Sequence, residues 1–537
     1  MKRHLGVAAC AAALALIAAA CGGDDGGEGA APVDTVNEDI KSEVQGALKT
    51  TTTDPAVVTT TTAAPKKPTT IEEWEKLWET ERAVIVKRIK DNKWGVQADG
   101  KLVKGPEGFT IDLAKCPQGW SNTEGISDTE VKIGSHTPFS GTLADAGNIN
   151  KGADAAFKYY SEKGLFKDAT GKTRTVKLNS KDDGYDPARS IPIVDEFLDS
   201  DKVFGIMGLG TPSVMKTYDK INQRCVPHPF AITGHPAWGD PVNHPWTTGS
   251  LFAYNTEAVL WGSFIDEHIN ELIGADGKVT FAALVMNNDF GKSYDAGFKA
   301  YLAQSPNKDK INYVTETIEP AAPTITDPMT SLAAKNPSMF AAMTAGTSCT
   351  QAITESAQNG MKEKVKYLWM PSVCKASSQV GKDKVGGDGS ATNGWWIMGG
   401  GVRDWNSPGE DANPFIVWGR ELLKTNGLDS KASGNLGTGI NFAWMWSQTI
   451  AIAGQLDGGL TRANLATAMR AMEMTHPAYL DGIKFNLNGN KDAYWIEGSD
   501  ISKYDSAKQS WIQQGDIIEM SGKSKNCFWD QSAGLCK

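Results

Sequence analysis

The chain has little positive charge for its size: 54 Lys and Arg stand against 63 Asp and Glu, a formal net charge of −9. Phosphate binding needs clustered cations, so this balance argues against a nucleic-acid partner, and none is expected. Past the N-terminus no run is long and apolar enough to span a bilayer. There is no CxxC pair and no Cys/His cluster of zinc spacing, so neither a metal nor another cofactor is expected. His228, His235 and His244 share a Pro-rich loop without the i, i+4 spacing of a helical metal site, and read as loop structure with one ligand-facing His. Gly208-Leu209-Gly210-Thr211-Pro212-Ser213 lacks the third glycine of a dinucleotide fingerprint.

What is present begins with an address. Lys2 and Arg3 precede the apolar stretch Leu5 to Ala20, which is short for a membrane helix and has the form of a signal peptide over residues 1–20. Ile17-Ala18-Ala19-Ala20-Cys21-Gly22 resembles a bacterial lipobox, with Ala18 where leucine is commoner. That resemblance implies cleavage before Cys21, its lipidation, and an extracytoplasmic protein held at the cell membrane through lipid alone. Loss of Lys2 and Arg3 would take the charge from −9 to −11. Six cysteines then remain, an even number that reads as disulfides outside the cell. Closeness in sequence favours Cys349–Cys374 and Cys527–Cys536, which leaves Cys116 with Cys225.

Residues 21–70 hold Gly, Asp, Thr, Pro and Ala with few large apolar groups, including Thr50 to Thr53 and Thr59 to Thr62. Such a stretch cannot bury enough surface to offset its ordering entropy, so a disordered tether is expected. About 50 extended residues reach ~170 Å. Residues 71–125 form an accessory segment. Trp74, Trp78, Ile85 and Ile89 fall on one side of a helix over 71–94, and Asp99-Gly100 lies between short runs that resemble a hairpin. A packed helix is favoured over a docking helix for a partner.

From Ile126 strands alternate with helices, the pattern of a parallel sheet. Val131 and Ile133 mark a strand, Pro138-Phe139-Ser140-Gly141 a turn, and Ala146 to Tyr160 a helix that Gly164 ends. Asp186 is placed as an N-cap with Pro187 at the first helical position. A second series starts at Phe281 to Met286, and helical runs fall near 413–425, 436–456 and 461–472, where Trp444 and Trp446 read as core. In doubly wound sheets ligands sit beyond the carboxyl ends of the strands, which makes the loops after them the candidates.

Five of these stretches share an order: Lys132-Ile133-Gly134, Pro138 to Gly141, Asp182-Asp183 with Pro187, Gly208 to Ser213, and Asn288-Asp289-Phe290-Gly291. In this order they resemble the branched-chain amino-acid type of solute-binding protein that serves ABC importers. The closing segment Asp481 to Phe485 with Trp511 is similar too, and the resemblance covers about 126–520. It implies an α/β fold of two doubly wound parallel-sheet lobes with a hinge, the type I periplasmic-binding fold, beside the small N-terminal accessory segment. The lobes are expected at 126–252 with 392–484, and at 253–391 with 485–520, followed by a disulfide-closed tail at 521–537.

The resemblance places a small organic solute between the lobes. A first-lobe carboxylate site falls on Thr211 and Ser213, which can equally cap the next helix, and on Thr233, Gly234 and His235. Phe290 matches a ring position in the second lobe, and Ser140, Thr347 and Ser372 complete the candidate set. Ser372 stands where the family offers an acid for an ammonium group, with no Asp or Glu following until Asp383. That weighs against a standard α-amino acid and towards a neutral or anionic solute. The expected function is capture of the solute by a monomer and delivery to an ABC permease. The alternative is a sensor reporting to a membrane receptor. Catalysis is not expected: Ser372-Val373-Cys374-Lys375 and Ser433-Gly434-Asn435 follow the order of serine penicillin-binding enzymes, but the third element, Lys-Thr-Gly or Lys-Ser-Gly, is missing.

Overall fold

The computed structural model describes residues 67–537; the expected signal peptide, Cys21 and nearly all of the expected tether lie outside the described residues. Helix α1 (Ile71–Asp91) opens them, one capping bond running from the Glu73 amide to Thr70. Glu72 and Glu73 in its first turn and Arg88 and Lys90 in its last complement the helix dipole. Its apolar face is covered. Trp78 stacks near Trp74 and meets Trp444 edge-on at 5.4 Å, while its indole N–H donates to the Thr475 carbonyl at 3.0 Å. This is the packed helix, not a free docking face. The expected hairpin carries a third strand: Gly95–Val96, Leu102–Lys104 and Thr110–Asp112 form one antiparallel sheet.

Alternation of strand and helix then builds the first lobe. In chain order it contains β1 (Glu130–Thr137), α2 (Asn148–Glu162), β2 (Thr175–Asp182), α3 (Pro187–Asp199), β3 (Gly205–Gly208), α4 (Thr211–Gln223), β4 (His228–Ala231) and β5 (Thr247–Gly249). Strands β2, β1 and β3 pair in parallel, as do β4 and β5. A parallel bridge from Leu209 to Ile232 and the bond from the Ile206 amide to the Pro227 carbonyl join the two groups.

The second lobe contains α5 (Tyr254–Glu267), β6 (Val279–Met286), α6 (Asp289–Gln304), β7 (Ile311–Ile318), β8 (Met339–Met343), α7 (Thr347–Gln358), β9 (Tyr367–Met370) and β10 (Trp396–Met398). The chain crosses back for α8 (Pro414–Thr425), α9 (Gly434–Gly454) and α10 (Arg462–Arg470), then returns with β11 (Ile501–Asp505) and β12 (Ser510–Gln513). The sheet order is β7-β6-β8-β9-β10-β11-β12, with β11 and β12 antiparallel at one edge. Strand β6 is buried along its whole length, as a central parallel strand covered on both faces should be.

Two expected boundaries shift. Residues 392–398 fall with the second sheet, because β10 pairs with β9 and β11. Residues 485–497 stay with the first lobe: Phe485 pairs with Met474, and the Trp495 indole donates to the Thr248 hydroxyl at 2.9 Å. The crossings therefore lie at 250–253, at Gly399-Gly400-Gly401 and near Ser499, a shift that strand-like text alone does not reveal. All three disulfides take the expected pairing: Cys116–Cys225, Cys349–Cys374 and Cys527–Cys536. Helices α2 and α9 meet at glycines: a Cβ on Gly152 would lie 1.9 Å from the Leu436 carbonyl oxygen, and one on Gly439 would lie 2.0 Å from that of Ile149.

Candidate functional site

The carboxyl ends of the two sheets face one cleft between the lobes, of about 390 Å³. Its first wall is the loop after β1. Asp182 shapes that loop, accepting from the Phe139 amide at 2.8 Å and from the Ser140 hydroxyl at 2.7 Å. Burial opposes ionisation of Asp182, but these bonds and those from Gly184 and Arg189 prevail and hold it down at about 2. Ser140 is exposed, committed to Asp182, and does not line the cavity; residues 141–146 of the same loop do.

Thr211 lines the cavity at the start of α4, its hydroxyl 2.8 Å from that of Thr233. Gly210 before it offers no side-chain cap, and Pro212 in the first turn has no N–H that needs one. Ser213 faces inward instead: its Oγ is 2.7 Å from Ser190 Oγ, which lies 3.0 Å from Asp183. Thr233, Gly234 and His235 support the wall without lining it. Gly234 packs under Tyr254, and the His235 ring is wedged edge-on against Trp529 at 4.4 Å. Burial pushes His235 down to about 3, so it is neutral. His244 is instead paired with Asp219 and Asp240, at 2.7 and 3.2 Å, and sits away from the cavity.

From the second lobe Phe290, Thr347 and Ser372 line the space. Asn288 caps α6 through the Phe290 and Gly291 amides and so presents the Phe290 ring, which meets Tyr254 at 5.0 Å. The expectation that no acid stands near Ser372 is corrected. Glu257, in the first turn of α5, accepts from the Ser372 amide and hydroxyl at 2.8 Å each, and from the Tyr294 hydroxyl at 2.8 Å. It is fully buried behind Ser372, and burial outweighs those bonds and raises it to about 8. The sequence signal was a lone glutamate inside the apolar run Tyr254 to Ile265, but its partner lies over a hundred residues away.

Several wall residues carried no sequence signal. Lys375 pairs with Asp500 at 2.9 Å, and Asp500 also accepts from the Gly401 amide, tying two crossings together. Asp404 is met by the Ser377 and Asn406 amides, and Arg403 by Glu410 and Asp481. Lys375 and Arg403 thus have acidic partners, whereas Asp404 is held by neutral donors and raised by burial. Tyr185, Phe252, Tyr254, Trp405, Phe442 and Met445 add aromatic and apolar surface to the lining. Cys374 is held in a disulfide and offers no free thiol. Among the described residues no group of three or more His, Cys, Asp or Glu is placed to hold a metal ion.

The lobes are closed on this space. The Thr142 hydroxyl donates to the Pro320 carbonyl at 2.7 Å, the Thr347 amide reaches the Thr142 carbonyl at 3.3 Å, and the Gly434 amide donates to the Ser378 hydroxyl at 2.8 Å. Gly346 permits the contact, its φ of 64° and lack of a Cβ leaving room for the Thr142 carbonyl.

Two doubly wound lobes with three crossings and a cavity at their strand ends define a two-lobed binding protein of the type I periplasmic-binding fold. Residues 130–491 match the model of the periplasmic binding protein family, and the chain belongs to that family. Among solved structures, a branched-chain amino acid ABC transporter protein from Thermus thermophilus with bound valine is similar at TM-score 0.61 and 14% identity, over 74% of this chain and 98% of that one. A fatty acid ABC transporter substrate-binding protein from Thermomonospora curvata gives 0.58 and 17%, over 75% and 95%. A possible leucine/isoleucine/valine-binding protein from Rhodopirellula baltica SH 1 gives 0.57 and 18%, over 73% and 97%. No curated protein sequence matches.

Proposed function

We propose that this chain is an extracytoplasmic solute-binding protein, anchored through Cys21, that captures a small organic solute between its lobes and hands it to an ABC import permease. The observation that carries the reading is the cleft at the strand ends, with the two lobes joined across it by hydrogen bonds. A space of this kind suits capture by closure: the open form admits the solute and the closed form is what a permease would meet. The matched charges of Lys375 and Arg403 in the wall argue against turnover as the purpose of the site. Neighbours of the same fold are titled as ABC transporter proteins for fatty acids and for branched-chain amino acids, which supports the transport class and leaves a range of solutes. The tether would let the lobes reach a permease from the membrane surface.

The test is a thermal-shift series on the full chain with amino acids, short amides, carboxylates and polyols. A solute at a hundred times its Kd stabilises the closed form by about 2.7 kcal/mol and raises Tm. The reading fails if no solute in the series raises Tm. Replacement Cys21→Ala should release the protein from the membrane fraction; retention would refute the lipid anchor.

A further inference from the structure

The tail at 521–537 joins neither large sheet. It forms its own short antiparallel pair, Trp529–Asp530 with Leu535–Cys536, closed by the Cys527–Cys536 disulfide. Where it leaves the first lobe it covers two buried acids. Asp492 and Glu497 are 5% and 3% exposed, and their carboxyls are hydrogen-bonded to each other. Ionised carboxylates only accept, so this bond requires one proton between the two. Asp492 also accepts from the Asn486 side-chain amide at 2.6 Å. Glu497 accepts from the tail, through the Gly522 amide and, at 2.9 Å, the Ser524 amide. Further on, the Asn526 side-chain amide donates to the Asn490 carbonyl at 2.6 Å, and the Cys527 amide to the Gly239 carbonyl at 2.9 Å. Trp529 then packs on Met215, Tyr218 and Trp238 and meets the His235 ring. The tail thus lies against the loop 233–239, whose first residue, Thr233, supports the cleft residue Thr211.

We infer that the tail is a proton-operated latch: the proton shared by Asp492 and Glu497 holds residues 521–524 down, and the tail so held braces the 233–239 wall of the cleft. The other charged and titratable groups around the pair are Glu519, which adds negative charge beside Asp492, and Tyr494, whose hydroxyl is held by the Pro236 carbonyl. Arg88, paired with Glu473, and Lys484 and Lys491 line a neighbouring pocket with Asp492, and Lys523 lies on the tail itself. Burial raises both acids, and the Asp492 charge raises Glu497 further, to about 8. When the tail lifts, water reaches the pair, and Glu497 returns towards its ordinary 4.5. The closed form therefore keeps a proton that the open form releases. The latch is tightest below about pH 4.5 and loosens as pH rises to 8.

The test needs no solute, so its outcome is separate from that of the binding function proposed above. Trypsin cleavage after Lys523 or Lys525 frees a peptide that ends at Lys537 and holds both Cys527 and Cys536, so mass spectrometry counts released tails. The rate is measured on the full chain and on Asp492→Asn, and their ratio at each pH cancels the protease's own profile. The substitution keeps the side chain's shape, supplies a donor to Glu497 and leaves a single carboxyl. From pH 6 to 8 release from the unsubstituted chain should rise about tenfold or more relative to the variant. Deuterium uptake over 232–239 at pH 8 should also be the greater in the unsubstituted chain. A ratio that stays constant from pH 6 to 8 would overturn the shared proton. Tail release that rises with pH while uptake over 232–239 is the same in both proteins would overturn the brace on the wall.

Discussion

Replacing Glu257 with glutamine tests how the second-lobe wall is held. The carboxyl is fully buried, accepts three hydrogen bonds, and is raised from 4.5 to about 8. Between those values the folded protein keeps a proton that the unfolded chain releases, so the folded state binds more protons. Stability linked to Glu257 is therefore complete below about pH 4.5 and is lost as pH rises towards 8. At ~1.4 kcal/mol per unit, the loss across the window is on the order of 5 kcal/mol. Glutamine resembles the protonated acid and does not titrate. At pH 5 the two proteins should differ by about 1 kcal/mol or less, whereas at pH 8 Glu257→Gln should be the more stable by several. Urea unfolding followed by tryptophan fluorescence reads this, since Trp261, Trp369 and Trp395 are buried in the second lobe. Glu75 and Glu497 are also raised by burial, to about 7 and about 8, so the decisive quantity is the difference between the two proteins at each pH. Parallel stability curves from pH 5 to 8 would refute the assignment.

Substituting Lys375→Met should leave Asp500 buried without its cation and lower stability by about 3–5 kcal/mol. The pair Lys375→Met with Asp500→Leu should recover most of it in a double-mutant cycle, and equal losses in the single and double variants would show that the pairing is not what matters. At the helix crossing, Gly439→Ala puts a methyl group 2.0 Å from the Ile149 carbonyl oxygen. A loss of about 1–3 kcal/mol or more in chemical unfolding is expected, and a neutral result would mean that α2 and α9 can separate freely.

Much of the architecture was legible because periodicity and turn chemistry are local. Val131 and Ile133, the small-residue loops after each strand, and Asp186 before Pro187 each announce an element through neighbours within a few residues. Trp74, Trp78, Ile85 and Ile89 announced a buried helix face in the same way, and the covering came from α9 and the Thr475 segment. The lobe boundaries were less legible. Trp396–Met398 and Phe485 are short strand-like stretches whose membership depends on which partner edge is free.

The candidate site divides along the same line. Thr211, Phe290, Thr347 and Ser372 stand in loops that directly follow strands, and the cavity takes them in. Ser213, Thr233, Gly234 and His235 come from the same kind of loop but turn into the protein, because one residue of rotation at a helix start decides which side chain faces the cleft. Glu257 was invisible as a site residue, because the Ser372 group it holds is far away in sequence.

By itself, then, the order of residues determined a doubly wound α/β class, a set of strand-end loops and the cysteine pairs, all of which depend on spacing, period and composition. Only the tertiary structure decided which loops meet, where the chain crosses between lobes, and that the missing acid sits behind Ser372. Those features arise from contacts between residues tens to hundreds of positions apart, and such contacts leave no local mark.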